Sequence, residues 1–226
     1  MLHLGIQEIV DLSVPLKNLG TTVHPCFPQP RREGFSSIRE NGFNSYVWTF
    51  VEHAGTHVDA PNHSIEQGAT IDQIPLSQYI GPGIVLDFRD KPPKYPIKKD
   101  DILTALKTIN DKKPGVGWVI LFLTGYSSKV NTPEWLAHPG LTEEAVNFLV
   151  EMGVKAVGID APTPDIEIET TYEPAHIIFS SRSVAMYENL TELDKLLGKR
   201  FLFVGCPLPL VGGTGSPVRA MALVTG

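Results

Sequence analysis

The sequence predicts an α/β fold: one mixed sheet, curved or barrel-like, flanked by helices. In the middle of the chain, β-branched and apolar runs alternate with segments of helical periodicity, the pattern of parallel βα units, whereas both ends read as mostly β. The 226 residues are 42 % hydrophobic, enough for a real core, and no shift in composition marks a boundary. A single domain over residues 1–226 is the simplest reading.

Residues 6–16 read as a strand ending in Ser13-Val14-Pro15. The next stretch holds Pro25, Pro28 and Pro30, which exclude helix and central strand, so it is a loop. Its His24, Cys26 and Phe27 are unusual for a solvated loop, and binding residues concentrate on loops. His24 and Phe27 are therefore candidate substrate contacts. Residues 45–51 (SYVWTFV) are aromatic and β-branched, a strand delivering the chain into His53 on rigid scaffold. Residues 70–75 are irregular, 83–88 form a buried strand, and 91–96 are a turn-rich connector. Ile102, Leu103, Leu106 and Ile109 recur at helical spacing behind Asp100-Asp101, which can cap a helix. Residues 116–123 form a strongly apolar strand. Thr142 caps a second helix, with Ala145, Val146, Leu149 and Met152 on one face and Gly153 as its stop. Residues 154–159, 201–204 and 218–224 complete the strands. The glycine-rich run 212–215 lacks the lysine and following helix of a phosphate loop and reads as a turn.

Composition excludes several function classes. The net charge is −6 and no Lys/Arg run exceeds a pair, which argues against a nucleic-acid partner. No apolar run approaches the ~20 residues that cross a bilayer. The first five residues lack the basic start and apolar run of a signal peptide, and Cys26 and Cys206 are too few for a disulfide framework. The expectation is a cytoplasmic protein acting on a small molecule.

The chemistry is concentrated in His53-Ala54-Gly55-Thr56-His57-Val58-Asp59-Ala60-Pro61-Asn62-His63, which holds three of the seven histidines. Imidazole and carboxylate are ligands for Zn²⁺, Mn²⁺ or Fe²⁺. Gly55 and Pro61 speak against a helix, and an extended chain would aim His53, His57 and Asp59 at one side. Structural zinc sites are usually cysteine-rich and closed, and neither cysteine is near, so the pattern favours a catalytic metal centre over a structural one. Two further candidates are weak on their own. His176 opens an apolar run, where a histidine is more often a core residue than a ligand, and Glu188 follows a strand-like run where an unpaired carboxylate is costly to bury. His138 reads as a surface or loop-packing histidine. Asp160 and Asp165 could orient ligands, or serve turns and caps.

The spacing HxGTHxDxPxH resembles the signature of the metal-dependent cyclase-like hydrolases, which include bacterial kynurenine formamidases and isatin hydrolases. The resemblance extends to Glu188-Asn189-Leu190, to 157–160 and to 215–219. It implies a swivelling β/β/α fold and a homodimer or homotetramer. It also implies that His53, His57 and Asp59 hold one Zn²⁺ or Mn²⁺, and that Asp59 and Glu188 bridge to a second ion completed by His176. His63 is then the general acid/base rather than a ligand. One departure stands out: where formamidases carry a tryptophan in the N-terminal loop, the nearest residue here is His24, which puts N-formylkynurenine in doubt as the substrate and leaves the metal chemistry untouched.

A metal with an open position lowers the pKa of bound water and polarises a carbonyl, and His63, ordinarily near pKa ~6.5, can serve the leaving group. Amide, formamide, cyclic imide and lactone bonds all suit this chemistry. A cyclase or lactonase acting on a ring substrate and a metal-binding module without turnover are the rivals, and the second has no use for His63. No GxSxG elbow offers a serine route.

Overall fold

The computed structural model describes residues 5–109, 114–166 and 173–225; residues 1–4, most of the N-terminal start read above, lie outside the described residues. In chain order the strands and helices are β1 (Ile6–Asp11), β2 (Arg31–Ser36), α1 (Ile38–Asn41), β3 (Ser45–Thr49), β4 (His57–Asp59), β5 (Ile80–Asp87), β6 (Pro96–Ile97), α2 (Lys99–Lys107), β7 (Val119–Leu123), β8 (Gly140–Leu141), α3 (Glu143–Glu151), β9 (Ala156–Ile159), α4 (Pro174–Ser181), β10 (Ala185–Glu188), β11 (Phe201–Val204), β12 (Gly215–Pro217) and β13 (Met221–Thr225).

Nine strands form one sheet in the order β1-β13-β11-β5-β7-β9-β10-β4-β12. The central β5, β7, β9 and β10 run parallel. In sequence α2, α3 and α4 fall between successive members of that group, which are the βα units expected from the alternating pattern. The flanks β1, β13 and β11 on one side and β4 and β12 on the other are antiparallel to their neighbours, so the sheet is mixed.

Both faces of the central strands are buried, which is why β7 reads as the unbroken apolar run VILFL. Ile84, Leu86, Ile120 and Phe122 face Ile102 and Leu106 of α2 and Val146 and Leu149 of α3. Val85, Val119 and Leu121 face the other way, into a cluster with Tyr187 and Phe203. That second cluster contains both Val10 of β1 and Val58 of β4, strands far apart in the sheet order, so the sheet curls to close over it.

Helix ends follow the capping signals. Thr142 Oγ1 accepts from Ala145 N at 3.3 Å, and Gly153 takes φ +74° just past α3. Before α2 the N-cap is Lys98, with Asp101 three residues on, accepting from Lys98 N at 2.9 Å; Asp100 and Asp101 thus lie in the first turn rather than at the cap, and Ile109 lies beyond the helix.

The clearest correction concerns residues 45–51. β3 pairs only with β2, as a ribbon outside the nine-stranded sheet, and its Tyr46, Val47 and Trp48 are exposed. Strand propensity reports a fit to a pleated surface and not which sheet accepts it. The chain enters the histidine motif through a turn, and the rigid scaffold is β4, held between β10 and β12. The strands expected at 116–123, 154–159 and 218–224 begin later, at Val119, Ala156 and Met221.

Candidate metal centre

Strand alternation builds the centre. Val58 points into the inner core, so His57 and Asp59 point to the opposite, helix-covered face. Antiparallel pairing sets Glu188 of β10 across from His57, and Met186 across from Asp59. His176 comes from the first turn of α4. His63 ends a single 3₁₀ turn, Pro61–His63, started by the proline that interrupts the strand. His53 reaches the cluster differently from the extended path expected. Gly55 has φ +66° and its N–H donates to Thr22 O at 2.8 Å, so the chain turns there. A Cβ on Gly55 would stand 2.9 Å from Leu16 Cδ2, and one on Gly215 would stand 2.7 Å from His53 Cε1.

The donor atoms of four residues converge. His57 Nε2 lies 3.5 Å from Asp59 Oδ1 and 3.3 Å from Glu188 Oε2. His176 Nε2 lies 3.6 Å from Asp59 Oδ2 and 3.6 Å from Glu188 Oε1. All four residues are at most 7 % exposed. Asp59 Oδ2 and Glu188 Oε1 are buried without a hydrogen-bond partner, a costly arrangement unless a cation satisfies them. Bonds of about 2.0–2.2 Å from a tetrahedral metal to imidazole and carboxylate put neighbouring ligand atoms about 3.3–3.6 Å apart. Each imidazole–carboxylate separation is of that length, with the two histidines meeting different oxygens of each carboxylate. His53, His57 and Asp59 also each offer an atom within 4.8 Å of the others, so these residues fit a divalent metal.

The ring orientations are fixed from behind. His57 Nδ1 donates to Gly55 O at 2.9 Å, and His176 Nδ1 donates to Asp165 Oδ2 at 2.7 Å, which makes Nε2 of each ring the atom that faces the cluster. Asp165 also accepts from Ala175 N at 2.7 Å and His176 N at 3.1 Å, so one carboxylate caps α4 and orients its histidine. Asp160 does something else: it accepts from Thr124 N, Thr124 Oγ1 and Gly125 N at 2.6–2.8 Å and ties a loop. His53 Nδ1 lies 2.8 Å from Asp59 Oδ1, and its Nε2 lies 3.1 Å from Thr214 Oγ1. His138 is fully buried, with Nδ1 donating to Pro139 O, and packs the loop.

Charge follows the same geometry. Burial opposes protonation of His57, but the Glu188 hydrogen bond and the Asp59 and Glu188 charges outweigh it and raise its pKa to about 8. Burial likewise opposes His176, which Asp165, Glu188 and Asp59 raise to about 10. Burial acts to raise Asp59, yet the His53 hydrogen bond and three imidazoles hold it well below the usual carboxylate range. Burial and the Asp59 charge push Glu188 up. Burial, against the pull of Asp59 and with the help of the other imidazoles, lowers His63 to about 4.

The cluster floors a cavity of about 210 Å³. His24, Cys26 and Phe27 line it, as does His63. The Phe27 ring stacks on His53 at 5.7 Å and 14°, and His24 Nδ1 sits 2.9 Å from Cys26 Sγ. The structure thus brings together every predicted site residue: His53, His57, Asp59, His63, His176 and Glu188 at the centre, His24 and Phe27 at the wall. Thr214 and Glu52 escaped the sequence reading. Glu52 adjoins His53, which is a weak signal, and nothing in the sequence marks Thr214.

The Cyclase family model matches residues 10–166. The chain belongs to the cyclase family. The kynurenine formamidase of Bacillus cereus is 26 % identical over 221 residues, 95 % of this chain and 97 % of that one. That of Geobacillus thermodenitrificans is 31 % identical over 193 residues, 85 % of this chain and 86 % of its own. Among solved structures, isatin hydrolase A from Labrenzia aggregata superposes with a TM-score of 0.86 at 26 % identity, covering 97 % of this chain and 94 % of the other. The curled mixed sheet is therefore the cyclase-family fold, as the motif implied. Among the described residues, no helix of this cyclase-family chain is long and apolar enough to cross a membrane.

Proposed function

We propose that this cyclase-family protein is a metal-dependent hydrolase that cleaves the C–N bond of a small amide, formamide or cyclic amide. One observation carries the reading: two orphaned buried carboxylate oxygens, Asp59 Oδ2 and Glu188 Oε1, face the Nε2 atom of His176, beneath a cavity lined by His57, His176 and Glu188. The relatives named kynurenine formamidase and isatin hydrolase support the same reaction class.

A divalent cation, Zn²⁺ or Mn²⁺, supplies Lewis-acid polarisation of the carbonyl and a lowered pKa for the attacking water. His53, His57, Asp59, His176 and Glu188 would hold it, and the two carboxylates, each with both oxygens near imidazoles, would suit one ion or a pair. His63, pushed down to about 4, is neutral at pH 7 and so acts first as base. It takes a proton from the water and returns it to the leaving nitrogen, giving a carboxylic acid and an amine. Phe27 and His24 line the wall against which the substrate lies. The absence of a tryptophan there directs the preference away from N-formylkynurenine. We place the enzyme in the cytoplasm as a homodimer or homotetramer.

The test is to quantify bound metal in the purified protein, then assay N-formylkynurenine, isatin and simple lactones before and after chelation. Activity that survives exhaustive metal removal overturns the proposal. One observation favours a second reading of His63: with Asp59 and His176 it also forms a group whose ligand atoms all lie within 4.8 Å of one another, so it could ligate. If His63→Ala strips the metal, that reading replaces the acid/base role.

A further inference from the structure

Behind His53 runs a chain of hydrogen bonds that the metal reading leaves unused. Glu52 Oε2 accepts from Thr214 N at 2.8 Å and from Thr214 Oγ1 at 2.6 Å. A threonine hydroxyl has one proton, and here it is committed to the carboxylate. Thr214 Oγ1 can then only accept from His53 Nε2, 3.1 Å away. Nε2 must therefore carry a proton, and Nδ1 is the atom aimed at Asp59 Oδ1, 2.8 Å away, a contact that takes a second ring proton until a metal ion displaces it. The glycine-rich turn is built to deliver this hydroxyl. Ala60 N donates to Thr214 O at 2.9 Å, Gly212 N donates to Asp72 Oδ1 at 3.0 Å, and a Cβ on Gly213 would stand 2.8 Å from Glu52 Oε1.

We propose that Glu52 and Thr214 are positioning residues that fix His53 as the Nε2–H tautomer and so make Nδ1 its metal-binding atom. This polarity is the reverse of that of His57 and His176, whose Nδ1 atoms donate to Gly55 O and Asp165 and whose Nε2 atoms face the centre. The inference rests on the metal reading above. It explains why an acidic residue directly precedes the first histidine and why a turn 161 positions away touches it. Without Glu52, the Thr214 hydroxyl is free to rotate and donate to Nε2, which favours the tautomer whose Nδ1 proton blocks the metal.

The experiment uses the full chain and Zn²⁺ as the probe. Zinc affinity is measured by competition with a chromophoric chelator for wild type, Thr214→Val, Thr214→Ser and Glu52→Ala. Losing a partner that orients a metal-binding histidine typically weakens binding about 10–100-fold. Thr214→Val and Glu52→Ala are expected in that range, and Thr214→Ser, which keeps the hydroxyl, close to wild type. Long-range ¹⁵N NMR of the zinc-loaded, histidine-labelled protein is expected to show His53 as Nε2–H, with His57 and His176 as Nδ1–H. If wild type binds zinc and Thr214→Val binds it as tightly, the positioning role is overturned while the metal reading stands. If His53 shows an Nδ1 proton, or Thr214→Ser is as impaired as Thr214→Val, it is likewise overturned. If wild type takes up no zinc, the metal reading fails and this inference with it.

Discussion

Asp165 and Asp160 are a matched pair that separates holding the fold from holding the metal. Each is buried and accepts three donors: Asp165 from Ala175 N, His176 N and His176 Nδ1, Asp160 from Thr124 N, Thr124 Oγ1 and Gly125 N. Changing either to Asn keeps the shape, removes the charge and turns one acceptor into a donor facing other donors. Hydrogen bonds to a charged acceptor contribute about 1.5–3 kcal/mol, and an unsatisfied buried donor costs about 1–3 kcal/mol, so each variant should lose roughly 2–4 kcal/mol. For a chain of this size, 1 kcal/mol moves Tm by about 2–4 °C, giving a drop of roughly 5–15 °C in the chelated protein. Only Asp165 touches a candidate ligand. Asp165→Asn is expected to weaken zinc binding about 10–100-fold, and Asp160→Asn to leave it within about twofold. Melting by circular dichroism and chelator competition on the same preparations read both quantities. Equal loss of affinity in the two variants, or none in Asp165→Asn, refutes the assignment of Asp165 to the His176 ring.

Further outcomes follow from the same geometry. His63→Ala should lower kcat by roughly 10²–10⁴-fold with metal content unchanged, whereas His57→Ala should lose metal and activity together, as metal analysis beside steady-state kinetics will show. Phe27→Ala and His24→Ala should raise KM or alter substrate preference while Tm stays near wild type; a collapse of Tm with preference intact makes them packing residues. Arg219 holds the Asp11 carboxyl below its ordinary value near 3.8, donating to it at 2.6 and 2.8 Å. A lowered folded-state pKa stabilises fully above the unfolded value and fades as pH falls through the folded one. The pair is exposed, so the effect of Asp11→Asn should stay below about 1 kcal/mol at neutral pH and shrink as pH falls below the ordinary carboxylate value, measured as urea midpoints; a gap that widens in acid contradicts it.

What could be read from the sequence follows from how far apart the interacting parts lie. His57 and Asp59 are two apart on a strand, so their shared face follows from alternation alone. The βα units were legible because both faces of β7 and of residues 83–86 in β5 are buried, which writes the apolar runs VILFL and IVL. The Glu188 carboxylate was suspect because burying it has a cost, but nothing local says that it pairs across from His57. His176 needed the family likeness, since its helix brings it in from α4. The extended path from His53 to Asp59 failed at Gly55, whose left-handed φ was compatible with the sequence but not required by it. Residues 45–51 do form a strand over Ser45–Thr49, but not the scaffold of the site: their apolar side chains clothe an exposed ribbon, and hydrophobicity does not say which surface it covers.

Asp160 and Asp165 show where local reading stops. Both are carboxylates shortly after β9, five residues apart, and from sequence both could have oriented a ligand or tied a turn. The fold divides the roles: one faces the loop after β7, the other the first turn of α4. At Asp165 the helix cap and the ligand support are the same oxygens, so docking α4 and aiming His176 Nε2 cannot be separated. A cation held by Asp59, Glu188 and His176 would therefore tie β4, β10 and α4 together. The buried like charges of Asp59 and Glu188, costly on their own, become the reason those three elements stay together once it binds.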